Sequence, residues 1–134
     1  HHGIPDSVAS RGLGDVYKRQ NKKVLDLFAG SGSLGIESLS RGAASCLFVE
    51  LSKESLDILI KNLSKTEEDV NIFKGDAYRW VQNNEESFDI VFLDPPFEHD
   101  DSMVTDLILK LVNTLNHEGL IILHRDNSSN IINI

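Results

Sequence analysis

From Lys22 onward, short apolar runs alternate with longer stretches in which apolar residues recur every three or four positions. Runs of the first kind cover residues 23–28, 45–51, 70–74, 88–93 and 120–124, and each is nearly all apolar in its middle. That pattern suits strands covered by helices on both faces. Stretches of the second kind carry Leu56, Leu59, Ile60 and Leu63, then Val104, Leu107, Ile108, Leu111 and Leu115, the stripes of two sheet-facing helices. Shorter helices are predicted over 33–41, closed by Gly42, and over 77–82, before the polar loop 83–87. Tyr78 and Trp80 in the second of these are expected to pack. The alternation predicts an α/β fold, a three-layer αβα sandwich around a mainly parallel sheet. Right-handed crossovers then place every strand-to-helix loop at the carboxyl edge of the sheet, where open α/β folds bind ligands.

The loop after the first strand reads Asp26-Leu27-Phe28-Ala29-Gly30-Ser31-Gly32-Ser33-Leu34-Gly35. Its glycines permit a sharp turn and a close approach to a ligand. Gly30, Gly32 and Gly35 also match G-x-G-x-x-G, and Glu50 follows Gly30 by 20 residues, so a nicotinamide or flavin dinucleotide is a competing ligand. Asp26 argues against it, because a pyrophosphate at a helix N-terminus wants no carboxylate nearby. A cationic ligand such as S-adenosylmethionine, with its ammonium and sulfonium, would welcome one. Alternatively, Asp26 caps the turn by accepting loop N–H groups. Glu50 closes the second strand, where a carboxylate can accept both ribose hydroxyls of an adenosine. Asp76, after the third strand, can take the adenine amino group while the Ala77 N–H reaches a ring nitrogen, or it can simply cap the helix that begins at Ala77.

The fourth strand runs into Asp94-Pro95-Pro96-Phe97, where consecutive prolines stiffen the loop. An aromatic amine is a poor nucleophile, since its lone pair is delocalised, so a catalyst must aim that lone pair at the methyl group. The Asp94 carboxylate and the Pro95 carbonyl can accept the two N–H bonds, and Phe97 can stack on the base for about 1 to 3 kcal/mol. The alternative is an ordinary proline turn, with Asp94 capping and Phe97 filling the core.

Composition narrows these readings. A chain of 134 residues with 40% hydrophobic and 25% charged residues suits one small globular domain. No apolar run approaches the roughly 20 residues that span a bilayer, and no signal peptide is evident, so a cytoplasmic protein without membrane contact is expected. The single cysteine, Cys46, lies in an apolar run and is expected to be a buried thiol. His99, His117 and His124 stand in separate segments without ligand spacing, so no metal is expected. A formal charge of −8 points away from a general nucleic-acid binder and requires a small site reading one extruded base, or contacts made outside this chain. Residues 1–20 begin His1-His2-Gly3, lack an apolar period and look like tag or linker sequence, leaving 21–134 as the domain.

The run Asp26 to Gly42, the Phe48-Val49-Glu50 of the second strand and Asp94-Pro95-Pro96-Phe97 resemble the RsmD-type bacterial 16S rRNA guanine-N2 methyltransferases, over residues 22–125. The resemblance implies a Rossmann-like class I methyltransferase fold, here truncated at both ends, and S-adenosyl-L-methionine as cofactor. It implies cofactor contacts at Asp26, Phe28, Gly30, Gly32, Glu50, Leu51, Asp76 and Ala77. It places the acceptor amine at Asp94, Pro95, Pro96 and Phe97. The implied partner is 16S rRNA or the small ribosomal subunit, approached as a monomer. Asp-Pro-Pro-Phe is shared with N6-adenine and other amino methyltransferases. Those activities, an inactive cofactor-binding fragment and an NAD-dependent oxidoreductase therefore stand as alternatives.

Overall fold

The computed structural model describes residues 20–66 and 68–125, together with the backbone of 128–132. The linker-like segment expected over 1–20 lies, apart from Gln20, outside the described residues. Strands β1 (Lys23–Leu27), β2 (Ser45–Glu50), β3 (Val70–Lys74) and β4 (Phe88–Leu93) are each followed by a helix. These helices are α1 (Ser33–Ser40), α2 (Lys53–Leu63), α3 (Ala77–Asn83) and α4 (Asp101–Leu111). A 3-10 turn, Val112–Thr114, leads into β5 (Leu115–Arg125) and then β6 (Ser128–Ile132).

The strands form one six-stranded sheet in the order β3-β2-β1-β4-β5-β6. The first five run parallel, and β6 pairs antiparallel with β5. Strand order reverses between β1 and β4, which opens a crevice at their carboxyl ends. Alternate residues face opposite layers. Val24, Cys46, Phe48, Ile90 and Phe92 pack with Leu39, Leu59 and Leu63 of α1 and α2. Leu25, Leu27, Val49, Val91 and Leu93 pack with Trp80, Val81, Leu107 and Leu111 of α3 and α4. Helix on both faces explains why β1, β2 and β4 are apolar throughout their middles, whereas the edge strand β3 leaves Asn71 and Phe73 exposed.

Three of the helices begin on side-chain caps: Ser52 accepts from the Ser55 N–H, Asp76 from Arg79 and Asp100 from Met103. These caps hold the loops that precede them, so they help shape the carboxyl edge.

Several expectations are corrected. Strand β1 stops at Leu27 because Phe28 takes φ 63°, outside the β region, and β2 stops at Glu50. Helix α1 ends at Ser40 and α3 runs to Asn83, one residue from each expected boundary. Leu115 extends no helix. It opens β5 opposite Phe88, and the register next aligns Leu120 with Ile90. The extra length around Glu118, at φ 63°, hides the start of this strand from any apolar pattern. The truncation expected at the carboxyl end would leave β5 as an exposed edge, but β6 covers it; Ser128, Ser129 and Asn130 carry too little apolar character to announce a strand.

Candidate active site at the carboxyl edge

Asp26 sits near the carboxyl end of the central strand, beside Phe48 and Phe92 in register, and is buried to 2% exposure. Its side chain points to the α1 layer, where Oδ2 accepts the Gly35 N–H at 3.1 Å. Burial pushes its pKa up to about 8; the Gly35 bond opposes this, and repulsion from Asp94 and Glu50 adds to it. Asp26 thus staples the glycine loop to α1 from beneath, as the capping alternative required. Gly35 itself lies so close to β2 that an added Cβ would stand 2.5 Å from the Phe48 ring and 2.7 Å from Cys46 Sγ.

Above the staple, Gly30 adopts φ 59°, and a Cβ there would meet nothing within 4 Å, so this face of the loop is open. Gly32 is buried as the N-cap of α1. Glu50 crosses to the loop from β2: Oε1 accepts the Gly30 N–H at 2.7 Å, while Oε2 accepts from Leu51 at 3.0 Å and Ser52 at 2.8 Å. Leu51 is exposed next to it. Asp76 caps α3 through the Arg79 N–H at 3.0 Å, and Ala77 is buried behind it.

The left-handed Phe28 turns its ring toward Tyr78 and His99, with centroids 5.9 and 5.8 Å away. Tyr78 Oη and His99 Nδ1 share a hydrogen bond of 2.8 Å. Trp80 packs against Phe88 in the core, and the half-buried Tyr78 packs against the same layer, both as expected.

On the opposite side, Pro95 is buried while Phe97 is 83% exposed, so Phe97 does not fill the core. Asp94 Oδ1 lies 3.4 Å from His124 Nδ1. Arg125 Nη1 donates to the Pro96 carbonyl at 3.0 Å, and Nη2 donates to the His99 carbonyl. His99, His124 and Arg125 were missed by sequence reasoning, which weighed the histidines only as metal ligands. The available signal was topological: 124 and 125 end a parallel strand at the edge where ligands bind.

An open cleft of about 620 Å³ brings these parts together, with Phe28, Glu50, Ser52 and Ser55 on one side and Asp94, Pro95, Pro96, Phe97, His124 and Arg125 on the other. Asp26, Gly30, Gly32, Leu51, Asp76 and Ala77 border the same edge without lining that cleft. A second cleft of about 410 Å³, between Val81 and Thr114, lies at the amino edge, away from this chemistry. Among the described residues no cluster of three or more metal-binding side chains occurs, and no helix is long and apolar enough to cross a membrane.

Comparison with known proteins shows the family and the fold. The ribosomal RNA small subunit methyltransferase D of Buchnera aphidicola subsp. Baizongia pistaciae is 35% identical over 114 residues, covering 84% of this chain and 58% of that protein. The chain therefore spans a little more than half the length of this curated relative. A solved conserved hypothetical protein from Streptococcus pyogenes superposes with a TM-score of 0.73 at 32% identity, covering 80% of this chain and 68% of the other. The ribosomal protein L11 methylase of Lactobacillus delbrueckii subsp. bulgaricus superposes with a TM-score of 0.69 at 25% identity, covering 86% and 56%. The fold is the Rossmann-like one of class I methyltransferases. The family described as conserved hypothetical protein 95 matches residues 13–134, and the chain belongs to it, among the RsmD-type proteins.

Proposed function

We propose that this chain carries the catalytic core of an S-adenosylmethionine-dependent methyltransferase acting on the exocyclic N2 amine of a guanine in 16S rRNA. The observation that carries the reading is the single cleft joining Glu50 to Asp94 and Phe97. Relatives named ribosomal RNA small subunit methyltransferase D support the choice of substrate.

The residues present fit the cofactor. The open face at Gly30 leaves room for a ligand against the loop. Glu50 uses three of about four acceptor positions on the backbone, which leaves one for a ribose hydroxyl. Asp26, whose pKa burial raises to about 8, lies beneath the loop, where a cationic ligand would draw its carboxyl toward the charged form, with Phe28, Gly32, Leu51, Asp76 and Ala77 completing the contacts. When bound, the cofactor supplies an electrophilic methyl group.

The chain's own residues do the rest. The Asp94 carboxylate and the Pro95 carbonyl accept the two amine N–H bonds, which aims the nitrogen lone pair away from them. Phe97 offers an exposed ring on which the extruded base stacks. Pro95 and Pro96 keep this constellation rigid, so the contribution to rate is orientation. The enzyme works in the cytoplasm, as a monomer, on 16S rRNA or the small subunit, with residues 21–134 as the catalytic domain.

Calorimetric titration with S-adenosylhomocysteine and with NAD tests the cofactor; binding of NAD alone would reject the reading. Methyl transfer to unmethylated small-subunit rRNA, followed by nucleoside analysis, tests the acceptor. N6-methyladenine as the product would move the assignment to adenine.

A further inference from the structure

We propose that Arg125, the last residue of β5, is a positioning residue that sets the direction of the acceptor loop by gripping its backbone at two carbonyls. The proposal rests on the methyl-transfer reading above, and deepens it.

The loop needs an outside donor. Pro95 and Pro96 have no N–H, so two successive residues of Asp94-Pro95-Pro96-Phe97 cannot tie the loop by backbone donation. Phe97 is 83% exposed, so packing does little to fix where its ring points. What remains to orient it is the plane of the Pro96–Phe97 peptide, whose carbonyl is the Pro96 oxygen. That oxygen accepts from Arg125 Nη1 at 3.0 Å and from the His99 N–H at 3.0 Å. A second arm of the same guanidinium donates to the His99 carbonyl, so one side chain closes both ends of the Pro96–His99 turn. The planar fork of arginine suits two fixed acceptors in a way that a lysine ammonium does not.

The surroundings favour holding the side chain there. Its exposure is 15%, and Asp101 Oδ1 lies 3.6 Å from Nη2 at the start of α4. Beside it on the strand, His124 faces Asp94 Oδ1, so the end of β5 addresses both halves of the acceptor motif. Neither contact involves the glycine loop or Glu50. The prediction is therefore a defect in acceptor geometry with cofactor binding preserved.

Hydrogen exchange on the 134-residue chain is the direct test, because the His99 N–H is bonded to the carbonyl that Arg125 grips. In Arg125→Gln, exchange at His99 should accelerate about ten- to a hundredfold, the loss expected for one charged hydrogen bond. Exchange in β1 and β4 should hold. Arg125→Lys should fall between, and it carries the test by the same criterion if the glutamine variant does not fold. In the full-length gene product, turnover on unmethylated rRNA should drop about tenfold or more, with affinity for S-adenosylhomocysteine within about twofold. A merely structural role would instead accelerate exchange across the core strands and weaken the cofactor. Unchanged exchange at His99 in both variants, or accelerated exchange with normal turnover, would overturn the proposal. If the unaltered enzyme methylates no amine at all, the functional reading fails by itself, while faster exchange at His99 would still establish the grip.

Discussion

Glu50 accepts the Gly30 N–H at 2.7 Å, joining two strand ends that are 20 residues apart in the chain. The same carboxylate takes the N–H groups of Leu51 and Ser52, so it shapes the cofactor loop as well as facing the cleft. Glu50→Ala should weaken S-adenosylhomocysteine binding about ten- to a hundredfold, the value of one charged hydrogen bond. It should also lower the unfolding free energy by about 1 to 3 kcal/mol, since Gly30 loses its acceptor. Glu50→Gln keeps one carbonyl oxygen and should fall between. Calorimetry beside thermal melting checks both effects, and unchanged affinity in the alanine variant would remove Glu50 from the cofactor site.

The buried Asp26 predicts a pH dependence. Its folded pKa is raised to about 8, above the ordinary carboxylate value, so folding favours the protonated acid. The stability it contributes is fully present below about pH 4, the unfolded value, and is lost as pH rises through about 8. Asp26→Asn keeps an oxygen for the Gly35 N–H and cannot ionise. Its unfolding free energy should therefore decline less than the wild type between pH 5 and pH 9. Parallel stability curves for the two proteins would contradict the buried acid.

Gly35 tests how closely α1 packs on β2. In Gly35→Ala the new methyl must displace the Phe48 ring and Cys46 Sγ, which lie 2.5 and 2.7 Å from its position. Both neighbours are fully packed in the core, so overpacking should cost about 1 to 3 kcal/mol. Urea melts measure it directly. Gly30→Ala meets no atom and suffers only the strain of its φ of 59°, so it should be the milder change in stability and the more harmful to ligand binding.

The fold was legible wherever one physical cause dominated. Strands buried on both faces must be apolar throughout, so β1, β2 and β4 stood out, and the stripes through Leu59 and Leu107 marked their helices. Strand β6 and the first half of β5 were hidden, because pairing to a neighbour's backbone needs no particular side chain and the register shift near Glu118 breaks any pattern. The same division runs through the site. Glu50 and Asp94 were visible as carboxylates at strand ends beside glycine and proline signals. The grip of Arg125 on Pro96 was not, because its acceptors are backbone carbonyls almost 30 residues away, which no motif encodes. Asp26 was expected beside the glycine loop at the end of β1, and only the structure reveals that it lies buried under that loop, bonded to Gly35.

Asp94 and Phe97 separate acceptor use from cofactor use, since they follow β4 while the Glu50 clamp and the glycine loop follow β2 and β1. In a full-length enzyme, Asp94→Ala should cut turnover by several orders of magnitude, because positioning the reacting nitrogen is most of what this site can contribute. Phe97→Leu should chiefly raise KM for the acceptor, as it removes a stacking surface worth about 1 to 3 kcal/mol from a side chain that supports no core. Asp94→Asn is the sharper probe. It keeps the shape and one acceptor oxygen, so partial activity should survive where alanine leaves none. It also removes one of the charges that repel Asp26, so the pKa of Asp26 should move down toward the ordinary carboxylate range. Cofactor affinity should change little in any of the three. Methyl transfer to unmethylated small-subunit rRNA, measured beside titration with S-adenosylhomocysteine, examines both functions at once, and near-normal turnover in Asp94→Ala would end the amine-orienting mechanism.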